Sequence, residues 1–200
     1  MGNILKAVSP AAPVKPAVTP RMERFERYLE QFRRPIFSYV FRLVNDEGAA
    51  EDIAQETFVR LYQELDRIRD ETASAWLYRV ARNLVTDYVR KKRPVTFTVL
   101  KGGKSDDDDE GSALDFDAPA SDSPVAQSSG NELRRHIDST LAAMSEKFRE
   151  VLVLVDMQKL THDQAAKVLN CSVKTVSARL ARAREFFTNR LSRLVKIELK

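Results

Sequence analysis

The stretch LTHDQAAKVLNCSVKTVSARLARAR, residues 160–184, decides how the rest of the chain is read. Thr161 followed three residues later by Gln164 matches a capping box, which opens a helix by satisfying two of its orphan backbone donors. Ala165, Ala166, Val168 and Leu169 give that helix a face of mostly small apolar residues, which permits close packing. Asn170 tolerates the left-handed conformation that ends many helices. Ser172 is a good N-cap for the next helix. Val173, Val176 and Leu180 then recur at spacings of three and four and are expected to face inward. The stretch therefore reads helix, short turn, helix, with small residues at the crossing, which is the pattern of a helix-turn-helix.

In such a motif the second helix enters the major groove of DNA. Here it carries Lys174, Thr175, Ser177, Arg179, Arg182 and Arg184. Basic side chains neutralise phosphates, and Arg pairs with guanine in bidentate fashion. The plainer alternative is a helical hairpin with a solvated basic face. The agreement of the capping box, the Asn turn and the capping Ser favours the helix-turn-helix.

Working outward, the C-terminal segment 132–200 holds four helical patterns: Glu132 to Met144, about Glu146 to Met157, the helix opened by Thr161, and a last one running to about Leu194. Upstream, residues 94–131 have no helical period. They contain Gly102-Gly103, the run Asp106-Asp107-Asp108-Asp109-Glu110, Pro119 and Pro124, which read as a flexible acidic linker. A structureless segment of that length marks a domain boundary. Residues 21–93 hold three more helices. The first, from near Arg21, has Phe25, Tyr28, Leu29, Phe32, Ile36, Phe37, Val40, Phe41 and Val44 on its stripe, and Pro35 as a possible bend. The second runs from about Gly48 to Leu65, capped by Asp46, with Ile53, Phe58, Leu61, Tyr62 and Leu65 as its apolar stripe. The third covers about Ser74 to Lys92, with Trp76, Leu77, Val80, Ala81, Leu84, Val85 and Tyr88 on one face. Trp76 fits a core position, with base stacking as the alternative. Four prolines make residues 1–20 a disordered tail. The fold class is all-α: two small helical domains joined by a flexible linker.

Charge is unevenly spread. The whole chain is +4, but the linker 94–131 alone is −6, the segment 132–200 is +6 and the segment 21–93 is +2. Two basic helical segments flanking an acidic tether suggest a nucleic-acid partner. The single cysteine, Cys171, rules out an internal disulfide and fits a reducing, cytoplasmic setting. No apolar run is long enough for a membrane span. His136 and His162 have no metal-ligand spacing, so neither a metal nor a cofactor is expected. No G-x-S-x-G, H-E-x-x-H or phosphate-binding loop is present, which argues against an enzyme. A helix-turn-helix regulator acting without any larger machine stays open at this point. Such a protein would often dimerise on a palindrome.

Three blocks go further. Residues 145–184 resemble the fourth conserved region of extracytoplasmic-function sigma factors, a group of the sigma-70 family. Residues 51–62 (EDIAQETFVRLY) and 76–93 (WLYRVARNLVTDYVRKKR) resemble that family's second region, in the right order. The resemblance implies a chain that joins core RNA polymerase and directs it to promoters. Asp52, Gln55, Glu56 and Phe58 would then meet the clamp helices of the β′ subunit. Arg79, Asn83, Asp87, Arg90 and Lys91 would meet the −10 element, with Arg67 to Ser74 as a loop that captures an unstacked base. Ser172, Lys174, Thr175, Ser177, Ala178, Arg179 and Arg182 would lie nearest the −35 element. The helix from Glu146 to Met157 would help meet the flap of the β subunit. An anti-sigma protein is a further expected partner. The resemblance also offers the acidic linker a path through the polymerase channels, beside the plain reading as an inert tether. Departures are mild: Met144 stands where Pro is common, and Lys159 and Asn170 stand at turn positions where Gly is common.

Overall fold

The computed structural model describes residues 19–92 and 129–198, with side chains over 19–92 and 132–195. Residues 1–18 of the expected N-terminal tail and 94–128 of the expected linker lie outside these residues, while Pro20 at the end of the expected tail and residues 129–131 at the end of the expected linker are helical. Every regular element among the described residues is helical.

Helix α1 (Pro20–Val44) starts where Thr19 caps it and Pro20 supplies the fixed backbone angle favoured in a first turn. It continues through Pro35 and buries Tyr28, Phe32, Ile36, Tyr39, Val40 and Leu43, a three-and-four repeat. It ends at Asn45, which adopts the left-handed conformation (φ 51°) and donates its N–H to the Phe41 carbonyl at 2.8 Å. Asp46 then caps α2 (Glu47–Glu64), accepting from the Ala49 N–H at 3.1 Å. A single 3-10 turn, Leu65–Arg67, leads into α3 (Asp70–Lys92). Leu61, Leu65, Leu77, Ala81 and Val85 close the core among these three helices.

Two expectations need correction in this half. Helix α3 begins at Asp70, four residues before the expected Ser74, so the segment read as a base-capturing loop is mostly first helical turn. The cause is a clasp from α1. The Tyr28 hydroxyl donates to Asp70 at 2.6 Å, and Arg24 donates to Asp70, to the Leu65 carbonyl at 2.9 Å and to the Ile68 carbonyl. Asp70 and Glu71 also complement the helix dipole. Tyr62, expected on the apolar stripe of α2, is instead 41% exposed, with the Arg21 guanidinium over its ring.

The second half contains α4 (Ser129–Ala142), α5 (Glu146–Leu152), α6 (His162–Leu169) and α7 (Val173–Glu198). The pattern read as one helix from Glu146 to Met157 breaks after Leu152 into a π-helical turn, Val153–Met157. Gln158 donates back to the Val153 carbonyl at 2.9 Å and Leu160 to that of Leu154 at 3.0 Å. Lys159, between them, sits at φ 61°. That is the position where a Gly would carry no Cβ penalty. Leu141, Met144, Val151, Leu154, Leu160, Val168, Val176 and Leu180 are buried here. Val173, expected to face inward, is 39% exposed because it occupies the first position of α7, before the helix reaches its neighbours.

No local pattern signals how the two halves meet. In the structure α3 packs on α6, and α1 packs on α4 and α5, so the buried residues form one continuous cluster.

Candidate nucleic-acid and polymerase surfaces

The helix-turn-helix is built as its residues predict. Thr161 Oγ accepts from the Gln164 N–H at 3.2 Å, and the Gln164 side chain accepts in return from the Thr161 N–H at 2.9 Å. Asn170 ends α6 at φ 53°, and the Cys171 N–H reaches the Ala166 carbonyl at 3.1 Å. This six-to-one bond satisfies a carbonyl that the helix end would otherwise leave open. Ser172 Oγ accepts from the Thr175 N–H at 3.0 Å and opens α7. Ala165 and Ala166 let α6 approach Val176, Leu180 and Ala183 of α7, all buried. Ser177 of α7 shares a 3.1 Å hydrogen bond with His162 Nδ1 at the start of α6, pinning the two helices on their outer side.

This frame presents Ser172, Lys174, Ser177, Ala178 and Arg182 to solvent, with Thr175 and Arg179 half-buried beside them. Arg184 is otherwise engaged. Its guanidinium makes a two-point contact with Asp156 at 2.8 and 2.6 Å, and that contact raises its pKa. It fastens α7 to the π-helical turn.

A second surface runs along α3. Arg79, Asn83, Asp87, Arg90 and Lys91 are all exposed. Arg90 pairs with Asp87 at 2.9 Å, so this face is less positive than its arginines suggest. The C-terminal end of the helix is tied down by Asp46, which receives Tyr88 at 3.0 Å and Lys92 at 3.3 Å. Asp46 is held below the usual carboxylate range, first by the Ala49 N–H and then by Tyr88 and Lys92. At the other end, Arg67 and Arg69 are exposed on the turn before α3. Asp70 behind them is held low by Tyr28 and then Arg24. Trp76 is half-buried against the core.

A third surface lies on α2. Asp52 and Gln55 are exposed, and Glu56 is half-buried and paired with Arg60 at 2.9 Å. Phe58 does not share that face. It is 6% exposed and packs in the core with Ile53, Ala54 and Leu61, so it supports the surface from beneath. The apolar members of the outward face are Val59, 44% exposed, and Tyr62. Sequence periodicity missed Val59, although its spacing of three and four from Glu56 and Gln55 was available. The fourth expected surface is reduced. All four apolar residues from Val151 to Leu154 are buried, and on α5 it is Glu146 and Lys147 that reach solvent.

Sequence reasoning also missed a polar cluster between the two halves. Arg82 of α3 donates through Nε to both carboxylate oxygens of Glu150 of α5, at 3.1 and 3.2 Å. The Tyr78 hydroxyl donates to Gln158 at 3.0 Å. Arg149 donates to the Leu43 carbonyl at the end of α1 and to the Ala142 and Met144 carbonyls at the end of α4, all at 3.0–3.2 Å. No local spacing signals such pairs, because the partners are 68, 80 and 106 residues apart for the bonds that cross between halves.

A helix-turn-helix whose second helix has an exposed basic face, joined in one chain to a second helical unit, defines a two-part helix-turn-helix protein. Known proteins give that class its family. Residues 28–95 match the family described as Sigma-70 region 2, and residues 134–187 match Sigma-70, region 4. Together the two matches cover more than half of the chain. The ECF RNA polymerase sigma factor SigW of Bacillus subtilis is 29% identical over 84% of this chain and 89% of its own length. The RNA polymerase sigma-H factor of Pseudomonas aeruginosa is 29% identical over 86% and 88%. Among solved structures, the sigma factor RpoE in complex with the anti-sigma factor NepR, from Bartonella quintana, aligns with a TM-score of 0.59 at 22% identity, over 86% of this chain and 97% of that one. CnrH, in complex with the cytosolic domain of CnrY, aligns with a TM-score of 0.59 at 23% identity, over 84% and 87%. The chain belongs to the sigma-70 family, as a sigma factor of the extracytoplasmic-function type.

Proposed function

We infer that this chain binds core RNA polymerase and directs it to initiate at promoters carrying −10 and −35 elements. The observation that carries the reading is the presence, in one chain and in family order, of an exposed polar face on α3 and an exposed basic face on α7, each in its own module. The polymerase supplies the catalysis, in the cytoplasm, and this chain supplies the address.

Within that reading, Ser172, Lys174, Thr175, Ser177, Ala178, Arg179 and Arg182 meet the −35 element. Arg79, Asn83, Asp87, Arg90 and Lys91 meet the −10 element, beside the short Arg67–Arg69 turn. Asp52, Gln55 and Glu56, with Val59 and Tyr62, dock on the β′ clamp helices, and the flap of the β subunit is met by the C-terminal half. An anti-sigma protein is a natural regulator, since the RpoE structure described above contains one.

The test is co-migration with core polymerase followed by run-off transcription. Binding to core together with a promoter-dependent transcript supports the reading. Tight binding to DNA alone, with no core binding and no transcript, would replace it with a helix-turn-helix regulator that acts without polymerase.

A further inference from the structure

Several helical hydroxyls in this chain turn back on their own helix. Thr57 donates to the Ile53 carbonyl at 2.8 Å, Thr86 to that of Arg82 at 3.0 Å and Ser192 to that of Asn189 at 3.1 Å. That is the ordinary use of a Ser or Thr inside a helix. Ser177 departs from it. Its hydroxyl reaches across the helix-turn-helix to Nδ1 of His162, at 3.1 Å. His162 is half-buried and opens α6, whereas Ser177 is exposed near the start of α7, on the face assigned to the −35 element.

The direction of that hydrogen bond decides what Ser177 offers to DNA. A hydroxyl carries one proton and two lone pairs. Lys174, Arg179 and Arg182 on the same face can only donate, and Ala178 offers a methyl group. The Ser172 and Thr175 hydroxyls lie 2.8 Å apart, and Ser172 Oγ also accepts the Thr175 N–H, so both are engaged in the cap of α7. If the proton of Ser177 goes to His162, an acceptor stands among these donors. If His162 donates instead, Ser177 turns its own O–H outward and adds one more donor.

The chemistry of the backbone selects between the two. A neutral imidazole has one N–H and one bare nitrogen, and the partner of one sets the state of the other. In a docked helix-turn-helix the first helix crosses the sugar-phosphate backbone while the start of the second meets base edges. Phosphate oxygens accept and do not donate. An imidazole at the head of α6 therefore meets them with Nε2–H. Nδ1 is then bare and takes the Ser177 proton.

We propose that His162 is a positioning residue that sets base specificity on the −35 face. It holds the Ser177 proton, so Ser177 presents oxygen lone pairs to the major groove and selects a base with an exocyclic amine there, adenine or cytosine, at one −35 position. The proposal deepens the promoter reading and rests on it.

The test is transcription by the holoenzyme from a promoter library randomised through the −35 element. At one position the wild type favours A and C over G and T about fivefold, the effect of one hydrogen bond. Ser177→Ala removes that preference and spares those at other positions. His162→Ala does the same although the Ser177 hydroxyl is still present. His162→Asn, whose amide oxygen stands where Nδ1 does, restores it. A merely structural role for His162 would weaken every position together. In a second arm, nitrogen NMR of the free chain at about pH 8.5, above the range in which histidines ordinarily titrate, shows Nδ1 of His162 unprotonated. His162→Asn separates its signals from those of His136, the other histidine in the sequence. A preference for G or T at the Ser177-dependent position, no position that depends on Ser177, an intact preference in His162→Ala, no recovery in His162→Asn, or a protonated Nδ1 would each overturn the proposal. Promoter-specific transcripts whose −35 preference depends on Arg182 but not on Ser177 or His162 overturn it while leaving the promoter reading intact. The absence of any promoter-specific transcript removes that reading, and the proposal with it.

Discussion

Lys174 and Arg182 are exposed on the recognition helix, whereas Arg179 is half-buried. The three are therefore expected to behave differently. Lys174→Ala and Arg182→Ala should each weaken promoter binding by the holoenzyme and reduce the slope of log K against log salt by about 1 for each phosphate no longer neutralised. Thermal stability and core-polymerase binding should be unchanged, which melting curves and co-migration will check. Arg179→Ala should lower promoter binding and also shift stability, because its side chain is half-buried where those of Lys174 and Arg182 are exposed. Asp70 makes a separate prediction. Its folded pKa lies below its ordinary value because Tyr28 and Arg24 favour the carboxylate. The stability it contributes is present above the ordinary carboxylate pKa and is lost as pH falls through that range toward the folded value. Melting temperature followed from pH 6 downward should fall less steeply in Asp70→Asn than in the wild type below about pH 4. Parallel curves would mean that the clasp on Asp70 contributes nothing.

Among the elements, helix ends are legible in the sequence and helix faces are legible in part. Asp46, Thr161, Asn170 and Ser172 act within three or four residues of themselves, so local spacing announces them. The start of α3 is not legible, because it depends on Arg24 and Tyr28, more than forty residues away. Phe58 falls inside the match to Sigma-70 region 2 yet points to the core, because similarity marks a helix while burial is decided by the helix packed behind it. The outward members of α2 make a testable surface. Val59→Ala with Tyr62→Ala should weaken core-polymerase binding about tenfold or more, measured by competition against a reference sigma factor, since exposed aromatic residues at interfaces are often worth more than 1 kcal/mol each. Undiminished competition would move the docking face elsewhere. The turn before α6 offers a stability test. Lys159 holds φ 61°. Lys159→Gly removes a Cβ penalty of about 1–2 kcal/mol against an entropy cost of about 0.5–1 kcal/mol, so denaturant melts should show a net gain of up to about 1.5 kcal/mol.

For the whole molecule, composition and pattern are enough to show an all-α chain with two helical segments around an acidic tether. The packing of α3 against the C-terminal helices is invisible in the sequence, because Arg82 and Glu150 each look like ordinary polar positions on their own helices. Two-module architecture explains why a helix-turn-helix that alone supports only DNA binding becomes half of a promoter reader once α2 and α3 stand in the same chain.

Whether this chain gives polymerase a two-element address is tested most directly by sequencing the 5′ ends of transcripts made by core polymerase with and without it on fragmented genomic DNA. New start sites should share one −10 and one −35 motif at fixed spacing, with the −35 preference weakened by Arg182→Ala. Start sites identical to those of core polymerase alone would contradict a promoter-addressing role.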